Sequence, residues 1–231
     1  MIKNSGFARA FTMIEMVVVL GVIAIMMAFV YPAYLGMSQR AKATKDMSNL
    51  RQIALATQMY MNDNSGVFPG STTATWMSQF ELNQKYLSSW RVLESPFDTR
   101  ATSEQGNATT AISYGINSNV YSGGVAISAD KITKPVTFIV FAPAQDNTAN
   151  VRFQGLATTA SPGVTILGSS NTVTSNPGGI PMGGTHNNRA KINVLCADWH
   201  VETMAWSGTG PAFTHTSDPG GDPDAQYRWS P

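Results

Sequence analysis

The chain has 231 residues, and its 15 Lys and Arg against 14 Asp and Glu leave a net charge of +1 with neutral histidines. That balance excludes a basic nucleic-acid footprint spread over the chain, and it equally excludes an acidic solvating tail. A single cysteine, Cys196, excludes an intrachain disulfide and a multi-cysteine zinc or iron–sulfur centre, so the fold relies on an apolar core. Charged residues make up 13% of the chain, about half the usual ~25%. Much of the surface is therefore polar but uncharged, and 43% hydrophobic residues exclude disorder of the whole chain.

The first element in chain order is an apolar run. Residues 16–39 are 24 consecutive positions without Asp, Glu, Lys or Arg. As a helix they span about 36 Å, enough to cross a hydrocarbon core of ~30 Å. A removable secretory signal has a shorter apolar region and ends in a small-x-small site. Here the end reads Ala28-Phe29-Val30-Tyr31-Pro32, which offers no such site, so a retained membrane helix is expected. Lys3, Arg9 and the amino terminus precede it with no acid between them. The positive-inside rule then keeps the N-terminus cytoplasmic and exports the rest.

Glu15 does not suit a plain anchor. A carboxylate inside a membrane helix costs on the order of 2.5–3.5 kcal/mol. Two readings stay open: Glu15 snorkels to the headgroups from its edge position, or it pairs with a cation on another subunit.

The segment Ala10-Phe11-Thr12-Met13-Ile14-Glu15-Met16 resembles the processing site of type IV pilins and type II secretion pseudopilins. The resemblance implies that a prepilin peptidase removes leader residues 1–10 between Ala10 and Phe11. It implies that Phe11 is then N-methylated and that Glu15 is the family's assembly glutamate. Ala10 stands where the family usually has Gly, and Met13 and Met16 replace the usual leucines, changes that keep size similar. Pro32, 21 residues after Phe11, falls where many pilins carry a helix-kinking proline. The partners implied are the peptidase, copies of this chain and other pilin-like subunits in a filament, and an inner-membrane assembly platform. The implied location is the bacterial inner membrane with the head in the periplasm, or a surface filament after assembly. The resemblance covers about the first quarter of the chain.

Beyond the apolar run, Met47, Leu50, Ala54, Thr57 and Met61 recur at helical spacing and form one stripe. Arg40, Lys42, Lys45, Asp46 and Arg51 lie mostly off it. Asn62-Asp63-Asn64-Ser65-Gly66 supplies stop signals, so one helix from about residue 12 to 63 is expected, its stripe forming the seam for a head.

After Pro69 the pattern changes. Trp76, Phe80, Tyr86 and Leu87 suggest a short helix or irregular segment. Strand-like runs follow at residues 111–114, 136–141, 164–167 and 192–196, separated by loops rich in Ser, Thr, Asn, Gly and Pro. The expected fold class is α+β: a long N-terminal helix, membrane-spanning in its first half, packed on an antiparallel β-sheet head. The organisation reads as leader 1–10, transmembrane and assembly helix 11–34, amphipathic continuation 35–64 and β-rich head 65–231.

The chemistry-bearing cluster is His186, Cys196, Asp198 and His200. Two histidines, an acid and a thiol could ligate zinc or set up a nucleophile, but their spacing is poor for either. A structural hairpin is favoured, and catalytic and metal residues are expected to be absent there. Asn193-Val194-Leu195-Cys196-Ala197-Asp198-Trp199-His200-Val201, with Tyr114-Gly115-Ile116-Asn117 upstream, resembles a group of bacterial pilin-like proteins with a C-terminal His, then Asp-Gly and often His-Val. Trp199 replaces the Gly of that pattern. Gly accepts positive φ and Trp does not readily do so, so a wider or different turn is expected. Trp199, Trp206 and Trp229 read as core or edge packing.

Asp218, Asp222 and Asp224 lie in a Gly/Pro-rich tail. Some pseudopilins bind calcium in an acidic C-terminal loop, which makes these three the calcium candidates; no other cofactor is implied. The leading function is a structural pilin-like subunit, pilus or secretion pseudopilus, rather than an enzyme. The alternatives are a membrane-anchored binding module and a tethered hydrolase using His186, Asp198 and His200.

Overall fold

The computed structural model describes residues 11–70, 76–81, 85–87, 89–98, 113–122, 125–143, 152–153, 185, 191–207, 212–214 and 227. The chain divides into two units, Met1–Ala41 and Lys42–Pro231. Helix α1, Met13–Asp63, runs for 51 residues and contributes to both.

In the first unit α1 is apolar and long enough to cross a membrane. Its large side chains, from Phe11 and Met13 to Leu35 and Met37, are exposed. Pro32 lies inside the helix, where its missing N–H leaves the carbonyl of Ala28 without its usual donor.

In the second unit α1 turns one face inward. Leu50, Ala54, Thr57 and Met61 of the expected stripe are buried, and Ile53, Ala56, Asn49 and Asp46 join them. Asp46 is thus a correction: a charged residue read as off the seam is fully buried on it. The helix stops where Ser65 and Gly66 take φ of 56° and 76°, with Gly66 N–H donating to the Met61 carbonyl at 2.8 Å. This left-handed ending is the ordinary way to satisfy last-turn carbonyls.

The head is built on a six-stranded sheet. Its strands are β1 (Tyr114–Asn117), β4 (Ile139–Pro143), β5 (Arg152–Phe153), β6 (Lys191–Cys196), β7 (Val201–Ser207) and β8 (Ala212–Thr214), in the order β5-β1-β4-β6-β7-β8. Strands β2 (Tyr121–Ser122) and β3 (Val125–Ala126) form a separate two-stranded pair. Four neighbouring pairs of the large sheet are antiparallel, with registers such as Gly115↔Ala142, Ile139↔Cys196 and Ile192↔Met204. The fifth, β1 with β5, is parallel. The architecture is α+β, as expected. Every residue of β1 and β4 and all of β6 after Lys191 are buried, so both faces of these strands are covered.

Helix α2, Trp76–Glu81, occupies the segment expected to be helical or irregular. It brings Trp76 and Phe80 against Phe141, with ring centroids 5.2 and 6.4 Å apart, and Tyr60 of α1 meets Phe80 edge-on at 6.2 Å.

Two strand boundaries differ from expectation. Strand β1 begins at Tyr114, where the expected strand ended. Val136 is exposed rather than in a strand. Residues 134–137 form a turn closed by Thr137 N–H to the Lys134 carbonyl at 3.1 Å, with Pro135 in the position proline favours. The Pro overrides the β-branched run behind it. The expected strand at 164–167 lies outside the described residues.

Candidate functional site

The N-terminal end of α1 is a reciprocal cap. Thr12 N–H and Thr12 Oγ1 both donate to Glu15 Oε2 at 2.8 Å, and Glu15 N–H reaches back to Thr12 Oγ1 at 3.4 Å. Thr-x-x-Glu is the capping-box spacing, in which cap and third residue satisfy each other's orphan groups. The sequence carries that signal in plain view, yet a reading centred on intersubunit pairing passes over it. Glu15 is therefore partnered within its own chain, and Phe11 beside it is exposed. Ala10, on the other side of the expected cut, lies outside the described residues.

The β6–β7 turn gathers part of the expected chemistry. Trp199 N–H donates to the Cys196 carbonyl at 3.0 Å and Cys196 N–H donates to that of His200 at 3.0 Å. This is a three-residue loop with a left-handed third position. That position is Trp199, at φ 73°. The wider turn is present, but the premise that Trp avoids positive φ does not hold here. Its half-buried ring lies 6.3 Å from that of Phe68, a packing contact that offsets the backbone strain.

The same turn sets Asp198 Oδ1 at 2.5 Å from His200 Nδ1 and within 3.2 Å of His200 N–H. Glu202 Oε2 stands 3.7 Å from the other ring nitrogen. The imidazole thus has a carboxylate at each edge, so a single ion could not take both nitrogens and both acids. Cys196 is buried at the end of β6. Among the described residues no group of three His, Cys, Asp or Glu side chains is placed to hold a metal ion. His186, Trp229 and the calcium candidates Asp218, Asp222 and Asp224 lie outside the described residues.

A third polar cluster was not anticipated. The Asp46 carboxylate, fully buried, accepts from Ser95 Oγ at 2.9 Å, Tyr114 Oη at 2.6 Å and Asn193 Nδ2 at 2.9 Å. Burial pushes the Asp46 carboxyl up from its ordinary value, and the bonds from Tyr114, Asn193 and Ser95 pull against that shift. Burial, with the neighbouring Asp46 charge, also pushes the Tyr114 hydroxyl well up.

Residues 6–31 match the family model of the prokaryotic N-terminal methylation motif, the signature of type IV pilins and pseudopilins. No curated protein and no solved structure matches the chain. The motif points to a processed, pilin-like structural subunit rather than an enzyme. It also implies a prepilin peptidase as the processing partner.

Proposed function

We propose that this chain is a membrane-inserted pilin-like subunit that polymerises through its N-terminal helix, as a type IV pilin or type II secretion pseudopilin. In this reading the peptidase cuts between Ala10 and Phe11 and Phe11 is methylated. Residues 11–34 then hold the subunit in the bacterial inner membrane with residues 65–231 in the periplasm. The observation that carries the reading is the methylation motif at residues 6–31 running into a helix whose apolar side chains are exposed. Such a surface needs either lipid or copies of itself around it. Residues 35–64 join helix and head, and Pro32 is the place for a bend.

The test combines intact-mass analysis of protein from cells with electron microscopy of surface or sheared filaments. A mature chain beginning at methylated Phe11, found in filaments, is the expected result. Retention of Met1, or a cut beyond Val30, overturns the processing step. Ala10→Lys is expected to block processing, because a long cation replaces the small residue before the cut.

A further inference from the structure

Asp46 is the only acid between Glu15 and Asp63, a stretch that also holds Arg40, Lys42, Lys45 and Arg51. On formal count it offsets one of these cations. In the fold it is fully buried, and it is met by the neutral donors Ser95, Tyr114 and Asn193. All four cations are exposed. The charged side chains that α1 exposes between Glu15 and Asp63 are therefore all positive. Among the described residues no carboxylate forms an ion pair with Lys42, Lys45 or Arg51.

Position along the helix sorts these cations. The uncharged run 16–39, about 36 Å long and centred on a hydrocarbon core of ~30 Å, projects about 3 Å past it at each end. Arg40 and Lys42 then fall within the headgroup layer, which is roughly 5–7 Å deep. Lys45 stands about 5 Å above that layer and reaches back to it along its aliphatic stem. Arg51 lies about 14 Å above it, out of reach.

Direction around the helix decides what can meet them. At 3.6 residues per turn Lys45 lies about 60° from Lys42, and Arg40 about 160° from it. A single neighbouring helix or a flat protein face meets one side of α1 and cannot take all three. A headgroup layer surrounds the helix and offers phosphate on both sides.

We propose, on the membrane-inserted reading of α1, that Lys42 and Lys45, with Arg40 preceding them, form a cationic collar that binds the phosphates of anionic phospholipids. Ammonium and guanidinium groups donate charge-assisted hydrogen bonds to phosphate oxygens. A basic residue beside an anionic lipid surface strengthens association by a factor of roughly five. The chemistry is the same in either leaflet. The collar enriches anionic lipid around α1 where the helix leaves the bilayer.

The test is energy transfer on the full chain in phosphatidylcholine vesicles. A donor dye is placed on Ser48→Cys, an exposed position; the native Cys196 is buried. The acceptor is a trace of acyl-labelled phosphatidylglycerol or, separately, of equally labelled phosphatidylcholine. Transfer to phosphatidylglycerol should exceed that to phosphatidylcholine, reporting a several-fold local enrichment. The excess should fall at 1 M salt, where screening acts over about 3 Å. It should be lost when Lys42→Gln and Lys45→Gln are combined, and kept in Arg51→Gln. Equal transfer to both lipids, a preference that survives the double lysine variant, or one that Arg51→Gln abolishes equally overturns the collar. Flotation with the vesicles separates this result from the membrane reading. A chain that floats without lipid preference loses the collar alone, and a chain that does not float loses both.

Discussion

Trp199 holds its ring 6.3 Å from Phe68 while its own backbone sits at φ 73°. A bulky side chain in the left-handed region is strained, so packing and backbone oppose each other at one residue. Trp199→Gly relieves the backbone and loses the ring. Trp199→Ala loses the ring and keeps most of the strain. The expected order of stability is Trp, then Gly, then Ala. The Gly variant should be down by about 2 kcal/mol for a half-buried aromatic. Ala should fall roughly 1 kcal/mol further. Denaturant midpoints measure both steps, and an Ala variant as stable as Gly would show that the turn carries no strain.

Asp46 predicts a pH dependence with a definite sign. Its folded pKa is raised above the ordinary 3.8, first by burial, so the folded head holds this proton more readily than the unfolded chain. That contribution is fully present below 3.8 and is lost as pH rises through the higher folded value. Asp46→Asn should remove this slope. Tyr114→Phe deletes a bond that lowers the pKa and should extend the slope to higher pH. Asp63, held low by Lys85 and Tyr86, adds an opposite slope that solvent screens at its exposed position. Unfolding midpoints across the acid range, compared between wild type and Asp46→Asn, measure the difference.

Glu15 tests assembly. Removing its carboxylate makes insertion into lipid no harder, since Ala is cheaper there than Glu, while Thr12 N–H and Oγ1 lose their acceptor at the helix start. Glu15→Ala should reach normal membrane abundance and give few or no filaments, or lose secretion. Wild-type assembly by this variant would make the carboxylate a bystander. Thr12→Val keeps the backbone bond to Glu15 but loses the hydroxyl, weakening the cap by about 1 kcal/mol. The start of α1 should fray, as read by amide hydrogen exchange, with the head unchanged.

His200 is expected to be structural. Its ring is oriented by Asp198 and flanked by Glu202. His200→Ala should leave assembly intact, and purified protein should carry no stoichiometric zinc. One zinc per chain, lost together in His200→Ala and Asp198→Ala, would reverse this assignment.

Much was legible in the chain before folding because it depends on neighbours in sequence. Residues 16–39 lack charge over a length that can cross a membrane, where a helix satisfies its own backbone. The processing motif is a string of seven adjacent residues. The Leu50-to-Met61 stripe follows from helical period alone, and Ile192 to Cys196 reads as a strand for the same local reason. Thr12 and Glu15 also declare their cap by spacing. The rest depended on contacts between distant segments. Asp46 looks like a solvated charge until Ser95, Tyr114 and Asn193 surround it, and no periodicity reports donors 49 to 147 residues away. Trp199 takes a glycine conformation while its ring packs against the core beside Phe68. Val136 leaves the strand because Pro135 closes a turn. For Asp46 and Trp199 long-range packing outweighed the residue's own preference, and for Val136 a turn closed by its immediate neighbours did so.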